Sequence, residues 1–147
     1  MRKLFSNFIG GFGALALLLV RLVMGLAFVL HGWPKIQNPM GWMSAMGGSS
    51  VPSFLQALAA LAEFGGGIGL ILGLLTPIAA FGLVCQMIGA LILAHLPQGH
   101  PFVSQGGPSY ELPLVYLVMA ILLIALGPGK WSIDALLFAE RAVEIKG

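Results

Sequence analysis

Charge is what this chain has least of. Of its 147 residues only 8% are Asp, Glu, Lys or Arg, against 59% in the hydrophobic set, whereas an ordinary soluble domain carries roughly 25% charged residues. With 21 glycines added, too little polar surface remains to cover a soluble particle, and an integral membrane protein is the class that fits. Cysteine is almost absent. Cys85 stands alone, which excludes an internal disulfide, an internal dithiol centre and a CxxCH haem attachment. There is no nucleotide-binding fingerprint. The formal net charge of +2 is too small, and its basic residues too scattered, for a nucleic-acid footprint. Met1-Arg2-Lys3 resembles the start of a signal peptide, but the apolar run behind it is long enough to stay as a helix.

What is present is a series of long apolar runs. They predict an all-α polytopic membrane four-helix bundle, read as a single domain over residues 1–147. The spans are drawn at about Phe12 to Leu30, Ser53 to Leu75, Pro77 to Leu96 and Glu111 to Leu126, since about 20 apolar residues cross a bilayer. Thr76-Pro77 is a tight link, with proline tolerated in a first helical turn. Two longer connections, His31 to Pro52 and Pro97 to Tyr110, are rich in Gly, Pro and Ser. Lys and Arg gather near the termini (Arg2, Lys3, Lys130, Arg141, Lys146), while the long loops hold only Lys35. Both termini are therefore expected to be cytoplasmic, with Trp33 and Trp42 at the outer interface and Trp131 at the inner one. A tail helix over about 132–144 is expected at the membrane surface, capped by Ser132 with Asp134 in its first turn.

Arg21 and Glu63 sit deep inside otherwise uncharged runs. A charge at mid-membrane is costly unless paired or facing the protein interior. Counting inward from Leu30, Ser53 and Leu96 puts Arg21, Glu63 and Gln86 at one depth, about 14–15 Å below the outer surface. The expectation is a buried Arg21–Glu63 pair with Gln86 beside it, serving helix register, a ligand site or a proton relay. His31, Lys35, His95 and Glu111 form a second group at the outer mouth, suited to a polar head group or to proton movement. Two His and one Glu can ligate a metal, but no local metal motif is present and no metal is assigned. His100 is expected to be solvent-exposed. Gly65, Gly69 and Gly73 form a small-residue stripe that permits close helix approach. Met40, Met43 and Met46 read as interface filler, and Cys85 as a small buried hydrophobe.

Leu30-His31-Gly32-Trp33-Pro34-Lys35 following the Arg21 span, Glu63-Phe64-Gly65-Gly66-Gly67 running into Leu72-Gly73-Leu74-Leu75-Thr76-Pro77, Tyr110-Glu111-Leu112, and Gly127-Pro128-Gly129-Lys130-Trp131-Ser132-Ile133-Asp134 occur in this order over nearly the whole chain. The ordered set resembles the DoxX family of bacterial membrane proteins. That family often has arginine where Pro77 stands here. The resemblance implies a four-helix protein of the bacterial inner membrane. Its relatives include a subunit of a thiosulfate:quinone oxidoreductase and membrane partners of redox-defence enzymes. The expected function is a redox-associated, quinone-linked membrane subunit, with quinone as the candidate cofactor and a soluble or membrane redox enzyme as partner. A non-catalytic scaffold, a small-molecule or lipid-binding transporter, and a homo-oligomer stay open as alternatives.

Overall fold

The structure is a computed structural model that describes residues 9–45 and 51–143. Arg2, Lys3, Met46, Glu144 and Lys146 lie outside the described residues, as do the side chains of Glu140, Arg141 and Val143. Every regular element among the described residues is helical: α1 (Gly11–Gln37), α2 (Ser53–Leu72), α3 (Thr76–Ala90, continued by a π-helical turn Leu91–His95), α4 (Glu111–Leu126) and α5 (Ile133–Val143). A single helical turn, Trp42–Ala45, interrupts the connection between α1 and α2.

Three helices are long and apolar enough to cross a membrane: α1, α2, and α3 with its continuation. With 16 residues, α4 measures about 24 Å against a hydrocarbon thickness of about 30 Å. Successive helices pack as antiparallel neighbours. α1 meets α4 through Phe28 and Tyr116, whose ring centroids lie 4.9 Å apart. The core is built from Leu17, Met24 and Phe28 of α1, Leu70 of α2, Leu83 of α3 and Leu123 of α4. Val23, Leu61, Phe81 and Val118 point outward, as helices in lipid require. One end of the bundle, the termini end, gathers the start of α1, the α2–α3 link and the segment before α5. There Lys130 donates its backbone N–H to the Ile9 carbonyl, 3.2 Å. The two long connections occupy the opposite, loop end.

The first span does not stop at Leu30. α1 runs seven residues further, through Pro34, to Gln37. Proline inside a helix removes one backbone bond and crowds the carbonyl four residues back, so the sequence favours an end here. Tertiary contacts override it. Gly32 lies so close to α2 that a Cβ would stand 2.6 Å from the Phe64 nitrogen. Trp33 packs against Phe64 with the rings tilted and their centroids 5.7 Å apart, and Lys35 bonds to Glu63.

α2 ends in a Schellman motif. Gly73 is left-handed, its N–H reaches the Leu70 carbonyl, and the Leu74 N–H reaches the Gly69 carbonyl at 2.9 Å. Leu75 then adopts φ 49°, the one non-glycine positive φ among the described residues, and opens α3.

The close approach of helices falls on other glycines than the expected stripe. A Cβ on Gly67 would lie 2.8 Å from both the Gly25 carbonyl and the Val29 nitrogen, and one on Gly25 would lie 2.7 Å from the Gly67 carbonyl. Gly65 would meet only Leu61 of its own helix. Gly69 and Gly73 serve the turn. Without a hydrophobic drive between helices in lipid, backbone proximity of this kind supplies the association energy.

This contrast yields a test. Gly67→Ala should destabilise the protein by about 1–3 kcal/mol through overpacking against rigid backbone. Gly66→Ala, whose Cβ would find ordinary contacts at 3.5–3.7 Å, should be neutral or slightly stabilising. Unfolding of the two variants in the same detergent reads the difference, and equal losses would show that the Gly25–Gly67 contact is not tight.

Candidate functional site

Arg21 and Glu63 do not meet. The depth count failed because it took Leu30 as the end of the first span. Arg21 lies against Gly73, where a Cβ would stand 2.6 Å from its Nη1. Gly73 is ten residues beyond Glu63 on α2, about 15 Å along the axis. Arg21 is 1% exposed and serves the termini end. Its Nη1 donates to the Pro128 carbonyl and its Nη2 to the Trp131 carbonyl, 2.6 Å. The guanidinium thus takes up carbonyls of the Gly-Pro-Gly turn before α5.

Asp134 completes this knot and is fully buried. Its Oδ1 accepts from the Leu75 N–H at 2.7 Å and its Oδ2 from the Thr76 N–H at 2.8 Å. It therefore caps α3 from a distant part of the chain and supplies an opposite charge near Arg21. Carboxylates are favoured at helix N-termini, and the bonds also steady the left-handed Leu75. Ser132 caps α5 as expected: its Oγ accepts from the Ala135 N–H at 3.0 Å and donates to the Gly129 carbonyl at 2.8 Å. The start of α5 is a buried strut, while Leu136 and Leu137 remain exposed.

The partner of Glu63 is Lys35. Lys35 Nζ stands 2.6 Å from Glu63 Oε1. Gln86 Nε2 donates to the same oxygen at 2.7 Å. The expected meeting of Glu63 with Gln86 therefore occurs, with lysine in place of arginine. Glu63 is 2% exposed, and its second oxygen, Oε2, is buried without a hydrogen-bond partner. Trp42 is folded over the pair, its ring centroid 4.5 Å from Lys35 Nζ. A cation over an indole face is a favourable contact.

Gln56, which no motif or periodicity marks, holds that cover in place. Its backbone carbonyl accepts from Trp42 Nε1 at 3.0 Å, its Oε1 accepts from the Met43 N–H at 3.1 Å, and its Nε2 donates to the Val51 carbonyl at 2.8 Å.

These residues line a cavity of about 1080 Å³ at the loop end, between α2, α3, α4 and the end of α1. Lys35, Glu63 and Gln86 form its polar centre. Phe28, Leu55, Leu58, Met87 and Leu93 are among its apolar walls, and His31 and Tyr116 also line it. Cys85 borders it too, and its thiol is exposed rather than buried.

The other mouth residues are not gathered there. His95 faces His100, Nδ1 to Nδ1 at 3.1 Å, so His100 is partly buried rather than free in solvent. Neither lines the cavity. Glu111 is exposed in the first turn of α4, where the helix dipole favours it. No cluster of three metal-ligating side chains occurs among the described residues.

A family model for DoxX matches residues 16–96. The chain belongs to the DoxX family. It is 32% identical over 123 residues to "Inner membrane protein YqjF" of Escherichia coli K12, covering 82% of this chain and 90% of the relative. It is 32% identical over 104 residues to "Putative oxidoreductase CatD" of Bacillus subtilis 168, covering 71% and 76%. An uncharacterized membrane protein of Mycobacterium tuberculosis H37Rv is 30% identical over 133 residues, covering 83% and 81%. No solved structure matches. The chain is a multi-pass protein of the bacterial inner membrane.

The separation of the two polar centres has a thermodynamic consequence. Arg21→Met and Glu63→Gln should have additive effects on unfolding free energy, to within about 0.5 kcal/mol, as for distant sites. Lys35→Met and Glu63→Gln should not. Lys35→Met alone leaves a buried carboxylate unpaired and should cost about 3–5 kcal/mol, and adding Glu63→Gln should restore part of that loss. A double-mutant cycle by chemical unfolding in detergent measures both couplings. Strong coupling to Arg21, or none to Lys35, would contradict this geometry.

Proposed function

We propose that this protein is a redox-associated membrane subunit whose loop-end cavity takes a membrane quinone. The observation that carries the reading is the Glu63 centre: a buried carboxylate, held by a cation and an amide, at the polar centre of a mostly apolar cavity of about 1080 Å³. Small-molecule pockets are mostly apolar, with a few convergent polar groups that fix orientation. An intramembrane ionisable residue is a functional candidate by default. The residues fit an apolar ring bearing polar oxygens. Phe28, Leu55 and Leu93 offer hydrocarbon walls, while Lys35, Glu63, Gln86 and Tyr116 offer donors and acceptors.

Each side chain has a separable task. Lys35 and Gln86 hold the Glu63 carboxylate through its Oε1. Trp42, anchored through Gln56, covers Lys35 and shields the pair from the loop side. Glu63 keeps its second oxygen, Oε2, as an acceptor for a bound molecule. His31, exposed at the cavity mouth, can donate or accept a hydrogen bond there. A bound quinone supplies a two-electron, two-proton couple, and a partner redox enzyme exchanges the electrons. The word oxidoreductase in the name of the B. subtilis relative supports the redox class and leaves the substrate open. On the Lys and Arg distribution we place the termini end in the cytoplasm and the cavity in the outer half of the membrane.

Purified protein in lipid nanodiscs should bind a short-chain benzoquinone saturably, quenching Trp42 fluorescence. Lys35→Met should weaken binding tenfold or more while the protein stays folded by circular dichroism. An absence of saturable binding in the wild-type protein would remove the quinone reading and leave a non-catalytic scaffold as the better account.

A further inference from the structure

We infer that the cavity selects ligands that donate a hydrogen bond, and hence the hydroxyl-bearing reduced form of a quinone over its carbonyl form. This deepens the reading of the cavity as a quinone site and rests on it for the choice of ligand, but its physical basis is separate. Three side-chain polar atoms among the described residues are buried without a partner: Arg21 Nε, Thr76 Oγ1 and Glu63 Oε2. The first two belong to the termini end. Of the three residues only Glu63 lines the cavity. As the anionic partner of Lys35, its carboxylate can only accept.

The donors beside Glu63 are turned to other acceptors than Oε2. Lys35 Nζ and Gln86 Nε2 both bind Oε1, and Trp42 Nε1 is committed to the Gln56 carbonyl. The Gln86 amide presents its nitrogen to Glu63, which leaves its carbonyl oxygen as a second acceptor. Terminal carboxylate torsions are soft, so a modest rotation presents Oε2 to a molecule in the cavity. A hydroxyl there relieves a buried acceptor, whereas a carbonyl or an ether oxygen leaves it unpaired. Sites with a buried polar group discriminate strongly against ligands that cannot satisfy it. His31 and Tyr116 do not discriminate, because each can donate or accept, and the remaining N–H groups of Lys35 and Gln86 do not either, because a hydroxyl oxygen accepts from them as a carbonyl does.

Two ligand pairs measure the preference in nanodiscs: 4-heptylphenol against 4-heptylanisole, which differ in one donor, and a short-chain benzoquinol against its quinone. The phenol should bind about tenfold tighter than the methyl ether, the order expected for satisfying one buried acceptor. Glu63→Gln replaces acceptor by donor, so the preference should vanish or reverse. Comparing the ratio between the wild-type protein and this variant cancels the different lipid partitioning of the two probes. The wild-type ratio stands by itself should the variant fold poorly. A tenfold tighter quinol would raise the potential of the bound two-electron couple by about 30 mV.

A phenol preference without binding of either quinone form would uphold donor selection and overturn the quinone reading. Equal or tighter binding of the ether, with the quinone still bound, would overturn donor selection and leave the quinone reading intact. If none of the four probes binds, both are overturned.

Discussion

The Lys35–Glu63 bond is the interaction on which the loop end of this molecule depends. Removing a carboxylate and an ammonium from water costs several kcal/mol for each ion. That cost is offset when the two meet at short range and further hydrogen bonds support them. Here the separation is 2.6 Å, the amide of Gln86 adds a second donor, and Trp42 covers the cation. The bond also has a backbone consequence. It pins the last turn of α1 against α2 beyond Pro34, where proline would otherwise favour a helix end. A helix ending at Leu30 would place neither His31 nor Lys35 on the cavity.

The two ends of the bundle are built on different principles. At the termini end, backbone valences are closed by side chains from afar: Arg21 takes up the carbonyls of the turn before α5, and Asp134 takes up the N–H groups that open α3. Gly25 and Gly67 draw α1 onto α2 between the two centres. The loop end instead keeps a cavity that opens between the helices. A hollow of this size is sustainable where the rest of the bundle is held without it. The Arg21–Asp134 knot and the Gly25–Gly67 contact provide that support.

How far the molecule was legible from its residues follows from which interactions are local. The all-helical membrane class was legible because scarcity of charge and the length of apolar runs are properties of segments. The meeting of Glu63 with Gln86 was legible because both helices have ends marked by proline and glycine, so counting residues measures depth. Arg21 was misplaced because the same count, applied to α1, stopped at a sequence signal that tertiary packing overrides. Asp134 was read as serving its own helix, since nothing local says that it reaches 58 residues back to cap α3. The role of Gln56 and the position of Trp42 over Lys35 depend on a loop fold that carries no periodicity. The glycine stripe was misassigned by register: spacing of four marks one face, but Gly66 and Gly67 show that adjacent residues face different neighbours.

Stability by itself does not account for the Lys35–Glu63–Gln86 centre. Replacing a buried ion pair with well-packed apolar side chains is commonly neutral or stabilising. In a bilayer the apolar alternative is easier still, because the surroundings are hydrocarbon and α1 and α2 already hold together through glycine contacts nearer the middle of the bundle. An unpaired buried acceptor costs about 1–3 kcal/mol. The termini end leaves Arg21 Nε and Thr76 Oγ1 without a partner, but neither residue lines this cavity. At Glu63, which does, both donors converge on one oxygen and leave the other free. By contrast, Asp134, whose task is structural, has both oxygens engaged by backbone donors. The difference between these two buried carboxylates in one chain supports the proposal that the first receives a ligand, while the second holds the fold.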